Sequence, residues 1–193
     1  FWLAARLRPP EGTHLYWQNP GETGLATTAE FRAPAQYQLS PVKYPGPVRL
    51  PSERGATTYG YVNDAVLLVR VSPLVENHEA TFRVFGSWLA CGLVCVREVG
   101  EAELTLRVED AVSETRSLDR FIAMLPRPGN DIVVNWKSPN ELLLSHPEFR
   151  LVEYFPVAPF GFEDRAPQAT PRADGSLQVT LNRQTIPESM VVV

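Results

Sequence analysis

Short stretches in which hydrophobic and polar residues alternate recur along the whole chain, and prolines and glycines separate them. Because successive side chains of a β-strand point to opposite faces, a period of two predicts strands with one buried face. The 18 prolines and 12 glycines leave segments of strand length, which favours antiparallel β-sandwiches over a parallel α/β sheet. The predicted strands are Thr27–Phe31, Ala65–Val71, Thr81–Trp88, Ala102–Val108, Ile132–Trp136, Leu142–Leu144, Leu151–Phe155 and Leu177–Leu181.

One segment has the period of a helix instead. Between residues 113 and 125 apolar side chains recur at positions i, i+3, i+4 and i+7, namely Leu118, Phe121, Ile122 and Leu125. This spacing predicts one apolar face of a short helix, which the following prolines end. We expect the helix to connect two β-sandwich modules. The predicted organisation of this all-β chain is a first domain at residues 1–112, a connector with the short helix at 113–130 and a second, smaller β-sandwich module at 131–193.

The charge pattern excludes some classes of partner. The 193 residues carry a formal net charge of -4, and acidic and basic residues are interspersed without a basic stripe. Nucleic acid is therefore not an expected partner. No apolar run approaches the roughly 20 residues that cross a bilayer, so we expect membrane attachment only through residues outside this sequence.

The chain has two cysteines, and they lie only four positions apart, at Cys91 and Cys95. In a continuous strand residues at this spacing are roughly 13 Å apart, whereas a disulfide tolerates Cα separations of up to about 7 Å. Either the chain reverses between them or they stay unbonded. Gly92 is predicted to supply the positive φ of a tight reversal, and both flanks have strand patterns. A hairpin with the two cysteines facing each other at its mouth satisfies pattern and geometry together.

A disulfide at this place would contribute little to stability, because it closes a loop of only a few residues. Short-loop disulfides near solvent are more often of the labile, exchanging kind. An inert surface disulfide and two reduced, buried cysteines are the alternatives, and the spacing alone does not decide between them. A zinc site is disfavoured, because His14, His78 and His146 are scattered without ligand spacing and the cysteines lack partners.

Two motifs carry a family resemblance. The segment from His14 to Leu25 resembles the pattern H-x-Y-W-x-N-P-G-x-x-G near the start of ScsB-like reductases, and the segment from Trp88 to Cys95 resembles their pattern W-L-x-C-x-x-x-C. Their order and separation also match. The chain thus resembles the periplasmic N-terminal region of DsbD/ScsB-type thiol:disulfide interchange reductases, well over residues 1–108 and more loosely over 118–193.

This resemblance implies an immunoglobulin-like domain with a redox disulfide, in the periplasm, as part of a larger inner-membrane protein. In the family this domain is a protein-disulfide reductase and needs no cofactor. It receives electrons from a thioredoxin-like domain of the same protein, which is supplied from the cytoplasm through a membrane domain. It then reduces a periplasmic thioredoxin-fold disulfide isomerase or reductase by thiol–disulfide exchange.

The resemblance also implies roles for particular residues. Cys95 matches the cysteine that forms the mixed disulfide with the partner, and Cys91 matches the resolving cysteine. Tyr16 matches a tyrosine near the redox pair.

Apart from the resemblance, Trp88 is expected in the core of the hairpin strand, because large aromatic side chains are mostly buried. Because Tyr16 and Trp17 are adjacent in a strand, one is expected to face inward and the other outward.

Arg97 and Glu98, which follow the second cysteine closely, are candidates for shifting the pKa of its thiol. A cation such as Arg97 lowers the pKa of a nearby thiol and a carboxylate such as Glu98 raises it, but a solvated strand face is the favoured interpretation. In DsbD a cap loop with acidic and aromatic residues shields the pair, whereas the corresponding stretch here, residues 51–57, has no aromatic residue.

Two rival functions belong to other classes. One is a β-sandwich protein-binding module with a purely structural disulfide, which a measured reduction potential would distinguish. The other is direct copper binding, suggested by the copper-tolerance association of ScsB relatives. The lack of Met-rich or His-rich clusters argues against it.

Overall fold

The computed structural model describes residues 1–50, 55–74, 79–107, 118–157, 166–181 and 190–192. Over these residues the chain is all-β, with one short helix. The N-terminal strands are β1 (Trp2–Leu7), β2 (His14–Gly21), β3 (Thr28–Arg32), β4 (Tyr37–Leu39), β5 (Val48–Leu50), β6 (Thr58–Tyr61) and β7 (Ala65–Pro73). The later elements are β8 (Glu79–Cys91), β9 (Cys95–Arg107), α1 (Asp119–Ile122), β10 (Val133–Ser138), β11 (Glu141–Ser145), β12 (Tyr154–Pro156), β13 (Gln168–Pro171), β14 (Leu177–Thr180) and β15 (Met190–Val192).

The chain divides into two compact units, each built from several segments. The first comprises Phe1–Gln18, Leu25–Val48 and Gly60–Pro126. The second comprises Asn19–Gly24, Arg49–Tyr59 and Arg127–Val193. The boundaries of independently folding modules expected at residues 112 and 130 stay a prediction.

The core of the first unit lies between two layers of strands. One layer is an antiparallel sheet in the order β1-β7-β4. Strand β7 is buried over an almost uninterrupted apolar run, which is typical of a strand that is covered on both faces. Leu3, Val69 and Val71 of this sheet pack with Ala80 and Phe82 of β8 in one buried cluster.

The other layer carries the cysteines. Its strand order is β3-β8-β2-β6-β5, and β9 also pairs with β8. Strands β8 and β9 form a long antiparallel hairpin whose register is regular from the pair Glu79–Arg107 to the pair Cys91–Cys95. Most side chains of β9 are exposed, whereas β8 is an inner strand that pairs on its other edge with β3 and β2.

The second unit contains an antiparallel sheet in the order β10-β11-β14-β13 and a two-stranded pair of β12 and β15. Its core follows the predicted alternation, because Leu142 and Leu144 of β11 are both fully buried. They pack with Tyr154 of β12 and with Leu177 and Val179 of β14.

The strand predictions are confirmed within the described residues with shifted ends, except that only Tyr154 and Phe155 of the predicted Leu151–Phe155 lie in a strand. Val108, the last residue of another predicted strand, lies outside the described residues.

The predicted helix is longer than the observed one. Residues 113–117 lie outside the described residues, and α1 ends at Ile122 rather than at Leu125. The Met124 and Leu125 amides donate to carbonyls three residues back, so the last turn is tightened. The next residue is a proline, which disfavours helical φ and ψ at Leu125. The apolar face of this segment is half-buried rather than core.

Candidate functional site

The two cysteines form a disulfide at the tip of the β8–β9 hairpin. Cys91 is the last residue of β8 and Cys95 the first of β9, and they are register partners. Their Cα atoms are 4.0 Å apart, well inside the limit of about 7 Å for a disulfide. The predicted hairpin with the cysteines facing each other at its mouth is therefore confirmed.

The reason for a glycine at position 92 differs from the prediction. Gly92 is not among the glycines with positive φ, so the expected left-handed reversal is wrong. A Cβ at this position would lie 3.1 Å from the Gly12 carbonyl oxygen and 3.2 Å from Cγ2 of Thr13. A side chain at this position would therefore press against the turn before β2, which approaches the hairpin tip closely.

The two cysteines differ strongly in exposure. Cys91 is 2% exposed, whereas Cys95 is exposed to solvent. The tip residues between them, Leu93 and Val94, are also exposed. Attack on a disulfide requires a clear line of approach, so only the Cys95 end of this bond is open to a large partner.

A histidine lies beside the buried cysteine. Strand β2 pairs with β8 so that His14 is the register partner of Cys91. Directly opposed residues of antiparallel strands project from the same face. His14, Cys91 and Cys95 therefore form a row across three neighbouring strands. The ring of Tyr16, two positions along β2, meets the His14 ring edge-on with 5.1 Å between centroids.

Tyr16 and Trp17 are both buried, at 6% and 0% exposure, so the expectation that one of them faces solvent is wrong. Leu15, the residue before Tyr16, is buried as well, so both faces of this part of β2 are covered. A strand covered on both faces buries consecutive residues instead of alternate ones. The structure places Tyr16 beside His14, the register partner of Cys91.

Trp88 lies elsewhere than expected. It is half-buried rather than core, and it points to the opposite face of the hairpin from the cysteines, because it is an odd number of positions from Cys91. Its Nε1 donates a 2.6 Å hydrogen bond to Oε2 of its register partner Glu98. The indole lies over Gly86 and Gly100, where an added Cβ would come within 3.0 Å of the ring.

Arg97 and Glu98 project from opposite faces of β9, because successive side chains of a strand alternate. Glu98 is held by Trp88 on the face away from the cysteines. Arg97 is exposed and, two positions from Cys95, lies on the cysteine face. Arg97 therefore shares the strand face of Cys95, whereas Glu98 does not.

His14 was given no chemical role from the sequence, although it belongs to the first motif. Burial lowers its pKa from the ordinary value of 6.5, since desolvation disfavours the charged imidazolium. Its Nε2 atom is buried and has no hydrogen-bond partner among the residues that the structure describes. The signal in the sequence was its position two residues before Tyr16, which places both on one face of a strand.

Within the described ranges no group of three or more His, Cys, Asp or Glu side chains is placed to hold a metal ion. His78 and residues 51–54 of the cap-loop stretch lie outside those ranges. In the same part of the chain, no helix has both the length and the apolar character needed to cross a membrane.

An all-β fold with a disulfide of unequal exposure at a hairpin tip fits a thiol–disulfide exchange domain. The family model described as "Thiol:disulfide interchange protein DsbD, N-terminal" matches residues 1–107, which is more than half of the chain. The chain therefore belongs to this family. Its first motif and its cysteine pair both fall within the matched region.

A solved structure agrees with this assignment at the level of the fold. The crystal structure of the N-terminal periplasmic domain of ScsB from Proteus mirabilis is similar, with a TM-score of 0.67 and 17% sequence identity. The similarity covers 100% of this chain and 74% of that chain. At this identity the likeness concerns the fold alone. No curated protein sequence matches the chain significantly.

Proposed function

We propose that this chain is a periplasmic protein-disulfide reductase domain of a larger inner-membrane protein. It accepts electrons from a thioredoxin-like domain of the same protein and passes them to a periplasmic thioredoxin-fold isomerase or reductase. Membership of the DsbD N-terminal family supports the exchange chemistry. The similar ScsB structure is of a periplasmic domain, which supports the location.

The observation that carries the proposal is the unequal exposure of one disulfide. Cys91 is almost completely buried and Cys95 is exposed at the hairpin tip. A stabilising disulfide does not require this arrangement, and a bond that encloses so few residues restricts the unfolded chain little. A transfer site does require it, because one sulfur must be reached by the partner while the other is kept for resolution.

The exchange proceeds in two balanced steps. In the reduced domain the Cys95 thiolate attacks one sulfur of the partner disulfide, and the other partner sulfur leaves as a thiolate. Cys91, as a thiolate, then attacks Sγ of Cys95, and the remaining partner sulfur leaves with its electron pair. The partner gains two electrons and becomes a dithiol, and the domain is left with the Cys91–Cys95 disulfide.

The tip around Cys95 also offers a contact surface for a partner. Leu93, Val94 and Val96 are all more than half exposed and flank the exposed cysteine. Apolar side chains exposed together on a soluble domain are typical of a protein contact site. We propose that these residues seat the thioredoxin-fold partner during exchange, and that Tyr16 forms part of the wall behind the disulfide.

The test is trapping with single-cysteine variants, each incubated with an oxidised thioredoxin-fold disulfide isomerase. Cys91→Ala should accumulate a mixed disulfide through Cys95, because nothing remains to resolve it. Cys95→Ala should accumulate little, because Cys91 is buried. Trapping only with Cys95→Ala would reverse the two roles. Absence of trapping with both, together with a reduction potential below about −300 mV, would instead identify a structural disulfide in a protein-binding module.

We further propose the modular division into an immunoglobulin-like redox domain at 1–112, a connector at 113–130 and a second β-sandwich module at 131–193. Limited proteolysis of the whole chain tests it. Cleavage confined to the connector, with both fragments still protected, is the expected result, and cleavage spread through residues 131–193 would contradict it.

A further inference from the structure

We infer that His14 is the proton acceptor for Cys91 when this cysteine resolves the mixed disulfide. The inference rests on the proposed exchange function and names a residue that takes part in its second step. Three independent features of the structure point to it.

The first feature is position. His14 and Cys91 are register partners on the adjacent antiparallel strands β2 and β8. Side chains of such partners project from the same face with their Cβ atoms about 4.5–5.5 Å apart, close enough for an imidazole to reach a thiol. Cys95 is the next residue in the same row, on β9.

The second feature is an unsatisfied polar atom. Nε2 of His14 is buried and has no hydrogen-bond partner in the part of the chain that the structure describes. Most buried polar atoms in proteins are paired, so an exception calls for a specific reason. In the disulfide form Cys91 has no S–H group to donate. A partner that exists only in the reduced or mixed-disulfide state explains why the nitrogen is unpaired in the oxidised state.

The third feature is the protonation state. Burial lowers the pKa of His14, so at neutral pH the imidazole is neutral and able to accept a proton. Nearest to it in strand register on this face are Tyr16 on β2, Cys91 on β8, and Cys95 and Arg97 on β9. The other charged residues of the face lie farther along the hairpin and on β3, namely Glu30, Arg32, Glu79, Arg83, Glu101, Glu103 and Arg107. Glu11, in the turn before β2, is exposed.

These features define the chemistry of the second step. The Cys91 thiol transfers its proton to Nε2 of His14, and the resulting thiolate attacks Sγ of Cys95. The Cys91–Cys95 bond forms as the bond from Cys95 to the partner breaks. The partner sulfur leaves as a thiolate and takes up the proton from the imidazolium, which regenerates neutral His14. A buried cysteine needs such an acceptor because water does not reach it freely.

The reagent 5,5′-dithiobis(2-nitrobenzoate) separates the two steps in the reduced whole chain. Attack by Cys95 releases one coloured thiolate and leaves a mixed disulfide, and resolution by Cys91 releases a second. His14→Phe keeps an aromatic ring against Tyr16 but removes both nitrogens. In this variant the rate of the second release, relative to the first, should fall about tenfold or more. His14→Gln, which retains a hydrogen-bonding group, should lie between His14→Phe and the wild type.

The pH profile supplies a readout that a purely structural role would not change. The ratio of second-release rates between wild type and His14→Phe should be largest near neutral pH. It should shrink as the pH falls through the lowered pKa of His14, because the imidazolium has no free nitrogen to accept a proton. His146→Phe is the matched control and should behave as the wild type, since His146 lies in the second unit.

The outcomes distinguish the two proposals. Two releases in the wild type with an unchanged second release in both His14 variants would overturn the role of His14 and leave the exchange function standing. A wild-type protein that gives no second release would overturn the exchange function, and the role of His14 with it. Thermal melting of each variant shows whether a slowed step reflects unfolding instead, and a His14→Gln protein that is folded and slowed supports the proposal.

Discussion

Trp88 and Glu98 join the two strands of the long hairpin through a 2.6 Å hydrogen bond from the indole Nε1 to Oε2 of the carboxylate. The bond lies on the face of the hairpin opposite Cys91 and Cys95, since alternate residues of a strand project to opposite faces. The hairpin thus stabilises itself on one face and carries the disulfide on the other.

Trp88→Phe should therefore reduce stability without changing the chemistry. Loss of this hydrogen bond is expected to lower the free energy of unfolding by about 0.5–1.5 kcal/mol, measured by denaturant titration. The rate of the first thiolate release should stay at the wild-type value. Trp136→Phe, at an exposed tryptophan of β10, is the control for loss of an indole. A severalfold change in the first release would show that the two faces are coupled.

Removal of both cysteines should leave the fold nearly intact. The disulfide closes a very short loop, so the Cys91→Ala, Cys95→Ala double variant should lose less than the 2–5 kcal/mol that is typical of a structural disulfide in a small secreted domain. Denaturant titration of the variant against the oxidised wild type measures the difference. A loss within or above that range would favour the structural role of the bond.

Arg97 should favour attack by Cys95, because a cation on the same strand face stabilises the thiolate. Arg97 is exposed, so the expected effect is small, and Arg97→Gln should slow the first release about two- to fivefold at low ionic strength. The difference should shrink as salt is added. Arg107→Gln makes the same charge change on the same strand face at the far end of β9 and should have no effect. Equal slowing by both variants would mean that net charge, and not position, matters.

Asn19, in the first sequence motif, should contribute to the stability of the fold and not to the exchange reaction. Its side chain is fully buried, and Nδ2 donates a 2.7 Å hydrogen bond to the Pro156 carbonyl. Asn19→Ala leaves this carbonyl without the amide donor and should lower the free energy of unfolding by about 1–3 kcal/mol. Both thiolate releases should keep their rates in the folded variant. The exposed Asn140→Ala is the control and should have a much smaller effect on stability.

The sequence determined much of the fold because β-strands with one buried face have a local signature. In β11, Leu142 and Leu144 alternate with less buried neighbours as predicted, and the pattern depends only on the strand period. The hairpin at the cysteines was also predictable. The length of a strand segment and the reach of a disulfide leave few other ways to bond residues 91 and 95.

Where neighbouring elements decide which side chains are buried, the residue pattern along the chain predicted burial wrongly. Tyr16 and Trp17 are both buried because this part of β2 is covered on both faces. Trp88 is half-buried and lies over two glycines of its own hairpin. The helix was shortened by a tightened last turn. The proposed module boundaries at residues 112 and 130 depend on long-range contacts in the same way and stay predictions.

The sequence by itself determined an all-β chain with a cysteine pair at a hairpin mouth, and two motifs that resemble the DsbD/ScsB family. Only the tertiary structure decided which cysteine is shielded and which residue lies beside it. The register of β2 against β8 places His14 opposite Cys91, and the pairing of β8 with β9 adds Cys95 to the same row. Register is set by the packing of whole strands, because a slip of one residue would turn His14 to the other face.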